Sequence, residues 1–124
     1  MIPFENLPEY VNAMDICLST QTDDIIGWMR TTAKLPLYLA AGRYVLATDV
    51  GEAHYLLPSK MLISYNGSKD DGYPLRLAEK IRGILDNRNE LSYGIENRNI
   101  AIENFDYKVL SKQLENSILE QISK

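Results

Sequence analysis

The sequence has few of the residue types that build disulfide frameworks and metal centres. Its 124 residues include one cysteine, Cys17, and one histidine, His54. A single cysteine excludes an intramolecular disulfide, and one cysteine with one histidine falls short of the four ligands of a structural zinc site. Cys17 stands in an apolar run, which predicts a buried structural thiol in a reducing, cytoplasmic setting.

Basic charge and long apolar runs are scarce as well. The 13 Lys and Arg residues are outnumbered by 17 Asp and Glu residues, and the net charge is -4. Because no basic run is present, we expect neither nucleic acid nor an anionic membrane as a partner. No apolar run approaches the roughly 20 residues that span a bilayer. The first ten residues also lack the basic start and apolar core of a signal peptide.

What the chain does have is alternating strand and helix patterns within the length of about one domain. This alternation predicts an α/β fold with a parallel sheet and helices on both faces. Apolar patterning predicts strands at 16–18, 44–47 and 61–64, and helices from Asn6, from near Thr31 or Thr32, at 52–57, at 77–85, across 91–102 and after Asp106.

Local signals mark where these helices begin and end. Asn6 and Glu9 predict a capping box, and Thr31 or Thr32 is expected to cap the second helix. Gly42 predicts its left-handed stop. The stretch 19–27 is polar and is expected to be a loop.

Polar side chains follow the first two strands. After the first come 19–22 and then Arg30, Thr31 and Thr32, whose hydroxyl and guanidinium groups suit a phosphate. The alternative is that the threonines only cap a helix and Arg30 is solvated. Residues 48–51 after the second strand either contact a ligand or simply form the turn.

Three other features carry weaker predictions. Asp23–Asp24 and Asp70–Asp71 have no third metal ligand nearby in sequence, and we interpret them as solvated loop carboxylates. For His54 the sequence shows neither a nucleophile nor an orienting carboxylate. A surface or half-buried structural histidine is therefore the preferred interpretation.

The segment 30–53, RTTAKLPLYLAAGRYVLATDVGEA, resembles the C-terminal, donor-binding domain of GT-B glycosyltransferases of retaining family four. Residues 3–15 are similar to the helix and strand that precede the donor loop in that family, and 77–79 and 105–107 are similar to its C-terminal helices. The resemblance covers the whole chain. It implies that residues 1–124 form one partial domain, a Rossmann-like half-domain with about three parallel strands that corresponds to the second half of the donor domain.

This resemblance implies transfer of a sugar from a nucleotide sugar to an unknown acceptor, with no metal and no other cofactor. It assigns no catalytic residue to this chain, which is not expected to be active alone. It does assign a set of residues that would bind the donor and its phosphates: Thr20, Gln21, Arg30, Thr31, Thr32 and Lys34.

The sequence departs from the family pattern at three positions. The family's glycine is replaced by Ala33, and the acidic residue that contacts the donor sugar is replaced by Met29. The glutamate that accepts hydrogen bonds from the ribose is replaced by Leu37, and an unpaired desolvated hydroxyl costs about 1–3 kcal/mol. The alternative function is therefore a non-catalytic remnant or interaction module. A response-regulator-like or flavodoxin-like domain is a third candidate, although the loop 19–27 suits neither.

In the complete donor domain, the strand 16–18 would pair with a strand that this chain lacks. Without that strand, 16–18 becomes an apolar sheet edge. We therefore expect a homodimer or a partner that covers the edge from Ile16 to Leu18.

Overall fold

A computed structural model describes residues 2–123. It contains three strands and seven α-helices, joined by turns and three 3-10 segments at Phe4–Asn6, Ser59–Met61 and Arg88–Glu96. The strands are β1 (Ile16–Ser19), β2 (Tyr44–Thr48) and β3 (Leu62–Ile63); the helices are α1 (Leu7–Asn12), α2 (Ile25–Met29), α3 (Lys34–Ala40), α4 (Glu52–Leu56), α5 (Tyr73–Asp86), α6 (Asn97–Phe105) and α7 (Tyr107–Ile122).

The three strands form one parallel sheet in the order β1-β2-β3. All five residues of the central strand β2 are buried. Since successive side chains of a strand point to opposite faces, both faces of β2 are covered. The α/β prediction with a short parallel sheet is confirmed, and the three strands lie within one or two residues of the predicted positions.

The hydrophobic core surrounds β2. Tyr44 and Val45 at the start of β2 are fully buried, as is Leu39 of α3. Cys17 in β1 is 2% exposed, which confirms the predicted buried thiol. Burial raises the pKa of this thiol, and the nearby Arg43 charge opposes the shift only in part. The neutral thiol is therefore a packing group of the core.

The helix predicted from Asn6 is present, but two predicted side-chain caps are wrong. Asn6 precedes α1 in a helical backbone conformation, and its side chain makes no capping hydrogen bond. Helix α3 begins at Lys34 with Ala33 at its N-cap, so neither Thr31 nor Thr32 caps it. Both capping predictions follow from residue type. A side-chain cap also requires a non-helical backbone conformation at the right position, and residue type does not determine it.

Three other predictions of helix ends hold. Gly42 follows α3 with a φ of 65°, and its N–H donates to the carbonyl of Leu39 at 2.9 Å. Helix α4 ends at Leu56, two residues before Pro58. Asp106 caps α7 by accepting a hydrogen bond from the N–H of Lys108 at 2.8 Å.

The segment after α5 packs closely on the start of β2. Gly94 is buried, and an added Cβ there would lie 2.6 Å from the backbone nitrogen of Tyr44. Asn97 is also buried and donates from its side-chain amide to the carbonyl of Arg43 at 2.8 Å. From the sequence Gly94 is interpreted as a weak point in a helix over 91–102. In the structure it allows close packing of a 3-10 segment that leads into α6.

The apolar stripes of the C-terminal helices are less buried than their spacing predicts. In α5 only Tyr73 and Ile84 are buried, and Leu85 is 50% exposed. No residue of α7 is buried. No helix in the described range 2–123 combines the length and apolar character needed to cross a membrane.

Candidate functional site

A cleft with a volume of about 480 Å³ opens at the carboxyl end of β1. Ligands of parallel α/β sheets characteristically bind at this end of the strands. All six residues that the family resemblance assigns to donor binding line the cleft: Thr20, Gln21, Arg30, Thr31, Thr32 and Lys34. Ser19, Thr22, Ile26, Gly27 and Ala33 complete the lining.

One wall of the cleft is the short helix α2, in a stretch predicted to be a loop. Asp24 caps this helix by accepting a hydrogen bond from the N–H of Gly27 at 2.9 Å. That bond, with a second contribution from the Thr22 hydroxyl, holds the pKa of Asp24 below its ordinary value. The sequence signal for such a cap is an Asp directly before an apolar run, here Asp24 before Ile25 and Ile26.

Gln21 fixes the floor of the cleft to two other elements. Its backbone N–H donates to the Thr48 hydroxyl at the end of β2, at 2.8 Å. Its side-chain Nε2 donates to the carbonyl of Arg30 at 3.1 Å. The amide oxygen of the same side chain stays available as an acceptor, while Thr20 is tied by a 2.9 Å hydrogen bond to the hydroxyl of Tyr73.

The charge inside the cleft is positive. Arg30 and Lys34 both line it and both are exposed, and neither takes part in an ion pair among residues 2–123. None of the eleven lining residues is acidic, although the chain carries a net charge of -4. Glu52 lies just outside the lining set, 3.5 Å from the hydroxyl of Thr31.

The three positions that depart from the family pattern are separated by the fold. Ala33 lines the cleft. Met29 is 81% exposed and lies outside the cleft lining. Leu37 also lies outside it and packs against the hydrophobic core, so it presents no hydrogen-bonding group to a ligand.

Sequence reasoning missed a polar and aromatic cluster that follows β2. Nδ1 of His54 lies 2.7 Å from a carboxylate oxygen of Asp49, so the orienting carboxylate that the sequence did not reveal is present. The rings of Trp28 and Tyr55 meet the imidazole edge-on, with centroids 5.6 and 4.9 Å away. The Asp49 carboxylate accepts a hydrogen bond from Nδ1 and so orients the imidazole. The i, i+5 spacing of Asp49 and His54 across a turn is the signal for this pair.

Three of the four paired aspartates make structural hydrogen bonds, so the prediction that they are solvated loop carboxylates is wrong for these three. Asp23 accepts a hydrogen bond from the Trp28 indole at 2.7 Å, and Asp24 caps α2. Asp70 accepts from the backbone of Asn66 and Gly72 and pairs with Arg76. Only Asp71 is well exposed. Across residues 2–123, no three His, Cys, Asp or Glu side chains are grouped closely enough to hold a metal ion.

Comparison with known proteins identifies no relative. No family model, curated protein or solved structure matches the chain. The functional argument therefore depends on the residues of the cleft and on their geometry.

Proposed function

We propose that the cleft at the end of β1 binds the diphosphate of a nucleotide sugar, as the donor-binding part of a glycosyltransferase. The observation that carries this proposal is the charge of the cleft, which contains Arg30 and Lys34 and no carboxylate among its eleven lining residues. In an acidic chain, such a segregated cationic site favours an anionic ligand. The hydroxyls of Thr31 and Thr32 can donate hydrogen bonds to phosphate oxygens, and the amide oxygen of Gln21 can accept one from a sugar hydroxyl.

Each residue has a distinct part in this proposal. Arg30 offers a planar guanidinium for paired hydrogen bonds to one phosphoryl group. Lys34 acts as a compact charge at the first turn of α3. The tether from Gln21 to Thr48 holds the loop against β2, so the cleft is organised before a ligand arrives. We propose a reducing cytoplasm as the setting, because Cys17 is a free cysteine with no disulfide partner in the chain.

A second candidate function is an interaction module that keeps the fold without the chemistry. Leu37 favours it, because the side chain at the ribose-contact position packs on the core instead of accepting hydrogen bonds. The unpaired ribose hydroxyls would weaken donor binding by about 1–3 kcal/mol for each group desolvated.

We expect UDP or GDP sugars to raise the melting temperature of the chain and to bind in calorimetry. At 100 times the dissociation constant, ligand binding stabilises a fold by about 2.7 kcal/mol. The double variant Arg30→Ala/Lys34→Ala should lose at least tenfold in affinity, because both charge-assisted contacts to phosphate are removed. Inorganic diphosphate tested in parallel separates recognition of phosphate from recognition of the whole donor.

The matched control is Arg82→Ala/Lys112→Ala, which removes the same charge from exposed positions on α5 and α7. This control should bind as the wild type does. If both double variants lose affinity equally, binding reflects net charge and the proposed site is wrong. If no nucleotide, nucleotide sugar or diphosphate binds the wild type, the interaction-module function is favoured.

The partner proposal concerns the free edge of the sheet. Among residues 2–123, strand β1 pairs only with β2. Its Leu18 is 42% exposed, and Ile16 is half-buried. Exposed apolar edge strands promote pairing with another strand. We propose that this edge is covered by a second copy or by a partner protein. A wild-type chain that scatters light as a stable monomer at low micromolar concentration would contradict the homodimeric form.

A further inference from the structure

Helix α2 presents its apolar side chains to solvent and its glycine to the protein. Gly27 is its only buried residue, and Trp28 is 40% exposed. Ile25, Ile26 and Met29 are 79%, 67% and 81% exposed, and we call these three residues the α2 surface. A surface helix normally has the opposite orientation, with its apolar residues facing the core.

Polar contacts hold α2 in this orientation. The backbone N–H of Asp23 donates to the carbonyl of Gly67 at 3.0 Å, and the Trp28 indole donates to the Asp23 carboxylate at 2.7 Å. The Asp24 carboxylate caps the helix. Because these bonds fix the backbone that carries the α2 surface, a ligand that covers this surface has little loop entropy to remove.

The α2 surface is continuous with the cationic cleft. Its three residues and Arg30 line an open cavity of about 390 Å³, and Ile26 and Arg30 also line the cleft. The exposed Arg30 therefore lies where the apolar surface adjoins the cleft. Among the described residues that line the two cavities, none is acidic.

This arrangement favours a ligand that joins an anion to an apolar chain. A free phosphate would leave the α2 surface in water, and a neutral apolar molecule would leave the Arg30 charge unpaired. A guanidinium forms paired hydrogen bonds with phosphoryl oxygens. An apolar chain gains free energy in proportion to the apolar area that is removed from water.

We propose that the cleft and the α2 surface together bind a phosphate-bearing amphiphile. Its phosphoryl group pairs with Arg30, and its apolar chain covers Ile25, Ile26 and Met29. This inference rests on the phosphate recognition proposed above and adds a second class of ligand. Because both classes use Arg30, the amphiphile competes with a nucleotide sugar for the cleft.

Titrations with octyl phosphate, ethyl phosphate and octyl glucoside separate the chain from the charge. Trp28 is the one tryptophan of the chain, so its fluorescence reports on α2. We expect octyl phosphate to shift this emission to shorter wavelength and to bind about tenfold more tightly than ethyl phosphate, a difference that burial of about two methylene groups supplies. Equal affinity for the two phosphates would overturn the proposal, as would equal affinity for octyl phosphate and octyl glucoside.

The double variant Ile25→Gln/Met29→Gln removes most of the α2 surface, and neither residue lines the cleft. It should bind octyl phosphate no more tightly than ethyl phosphate, while its affinity for ethyl phosphate stays that of the wild type. The matched control Leu114→Gln/Ile118→Gln changes exposed apolar residues of α7 and should keep the preference for octyl phosphate. If both double variants keep this preference, or both lose it, the proposal is wrong.

Vesicles test the source of the amphiphile. Cosedimentation with phosphatidylcholine vesicles that contain phosphatidic acid, lost in Arg30→Ala, would assign the amphiphile to a bilayer. Binding of octyl phosphate without cosedimentation would assign it to a free molecule. Both results support the proposal, whereas the absence of binding to octyl phosphate and to these vesicles overturns it.

Failure of this inference is distinct from failure of the nucleotide-sugar function. If nucleotide sugars bind but the octyl chain adds no affinity, the cleft function stands and the α2 inference is wrong. If octyl phosphate binds through its chain and no nucleotide sugar binds, the α2 inference stands and the nucleotide-sugar function is wrong.

Discussion

Gly94→Ala is expected to lower the free energy of unfolding by about 2–3 kcal/mol, the upper part of the range for overpacked sites. The new methyl group would lie 2.6 Å from the backbone nitrogen of Tyr44, 2.7 Å from the carbonyl carbon of Arg43 and 2.9 Å from the carbonyl oxygen of Gly42. All three are backbone atoms of residues 42–44, where the chain enters β2, so no side-chain rotation can relieve the contact. The 3-10 segment must move away from the strand, and the bond from Asn97 to Arg43 is strained with it.

Chemical denaturation of the variant and the wild type, monitored by circular dichroism, measures this effect. Gly83→Ala is the matched control, because it makes the same change in α5, where the new methyl group would have no neighbour within 4 Å apart from the adjacent residues and backbone of its own helix. Alanine is favoured over glycine inside a helix, so this control should gain about 0.5–1 kcal/mol. Equal stability of Gly94→Ala and the wild type would show that the segment does not pack on β2 as described.

Gly27→Ala is expected to abolish ligand binding by the cleft. The new methyl group would lie 1.8 Å from the carbonyl oxygen of Thr22, which is far inside van der Waals contact. Since Thr22 and Gly27 both line the cleft, the loop and α2 must separate, and the capping bond from Gly27 to Asp24 is lost with them. The expected cost in stability is about 1–3 kcal/mol.

Ligand affinity and the free energy of unfolding should both be measured for Gly27→Ala and for Gly94→Ala. Together they separate damage to the cleft from loss of stability. Gly27→Ala should lose diphosphate and nucleotide-sugar binding while most of the fold persists. Gly94→Ala should lose stability but, below its melting transition, retain the affinity of the wild type. Wild-type affinity in Gly27→Ala would show that the ligand does not occupy the cleft beside α2.

The sequence predicts the structural features that depend on a few adjacent residues. The continuous apolar run at β2, the glycine stop at Gly42 and the cap at Asp106 are each set by a few adjacent residues, and all three are found in the structure. The residues proposed for the donor site also share one cleft. They come from two short stretches on either side of α2, so their proximity follows from the local path of the chain.

The sequence analysis missed features that depend on distant contacts or on the exact backbone path of a turn or helix start. From the sequence, Gly94 is interpreted only as a helix-weakening residue. Its close packing against Tyr44 could not be predicted, because the two residues are 50 apart in sequence. The contact between Asp49 and His54 depends on the turn at Gly51, which has a φ of 62°, and the sequence does not specify that backbone conformation. The sequence predicts Thr31 or Thr32 as the cap of α3, yet the helix begins at Lys34 and the Thr31 hydroxyl lies near Glu52.

The sequence by itself determined the α/β class, the parallel sheet and the polar residues that follow β1, because apolar periodicity and turn chemistry act over a few residues. Only the tertiary structure decided which apolar stripes are buried. The stripes of α3 and α7 have similar spacing, yet Leu39 is fully buried and Leu114 is 62% exposed. Spacing places side chains on one face of a helix, and burial requires a second surface that packs against that face.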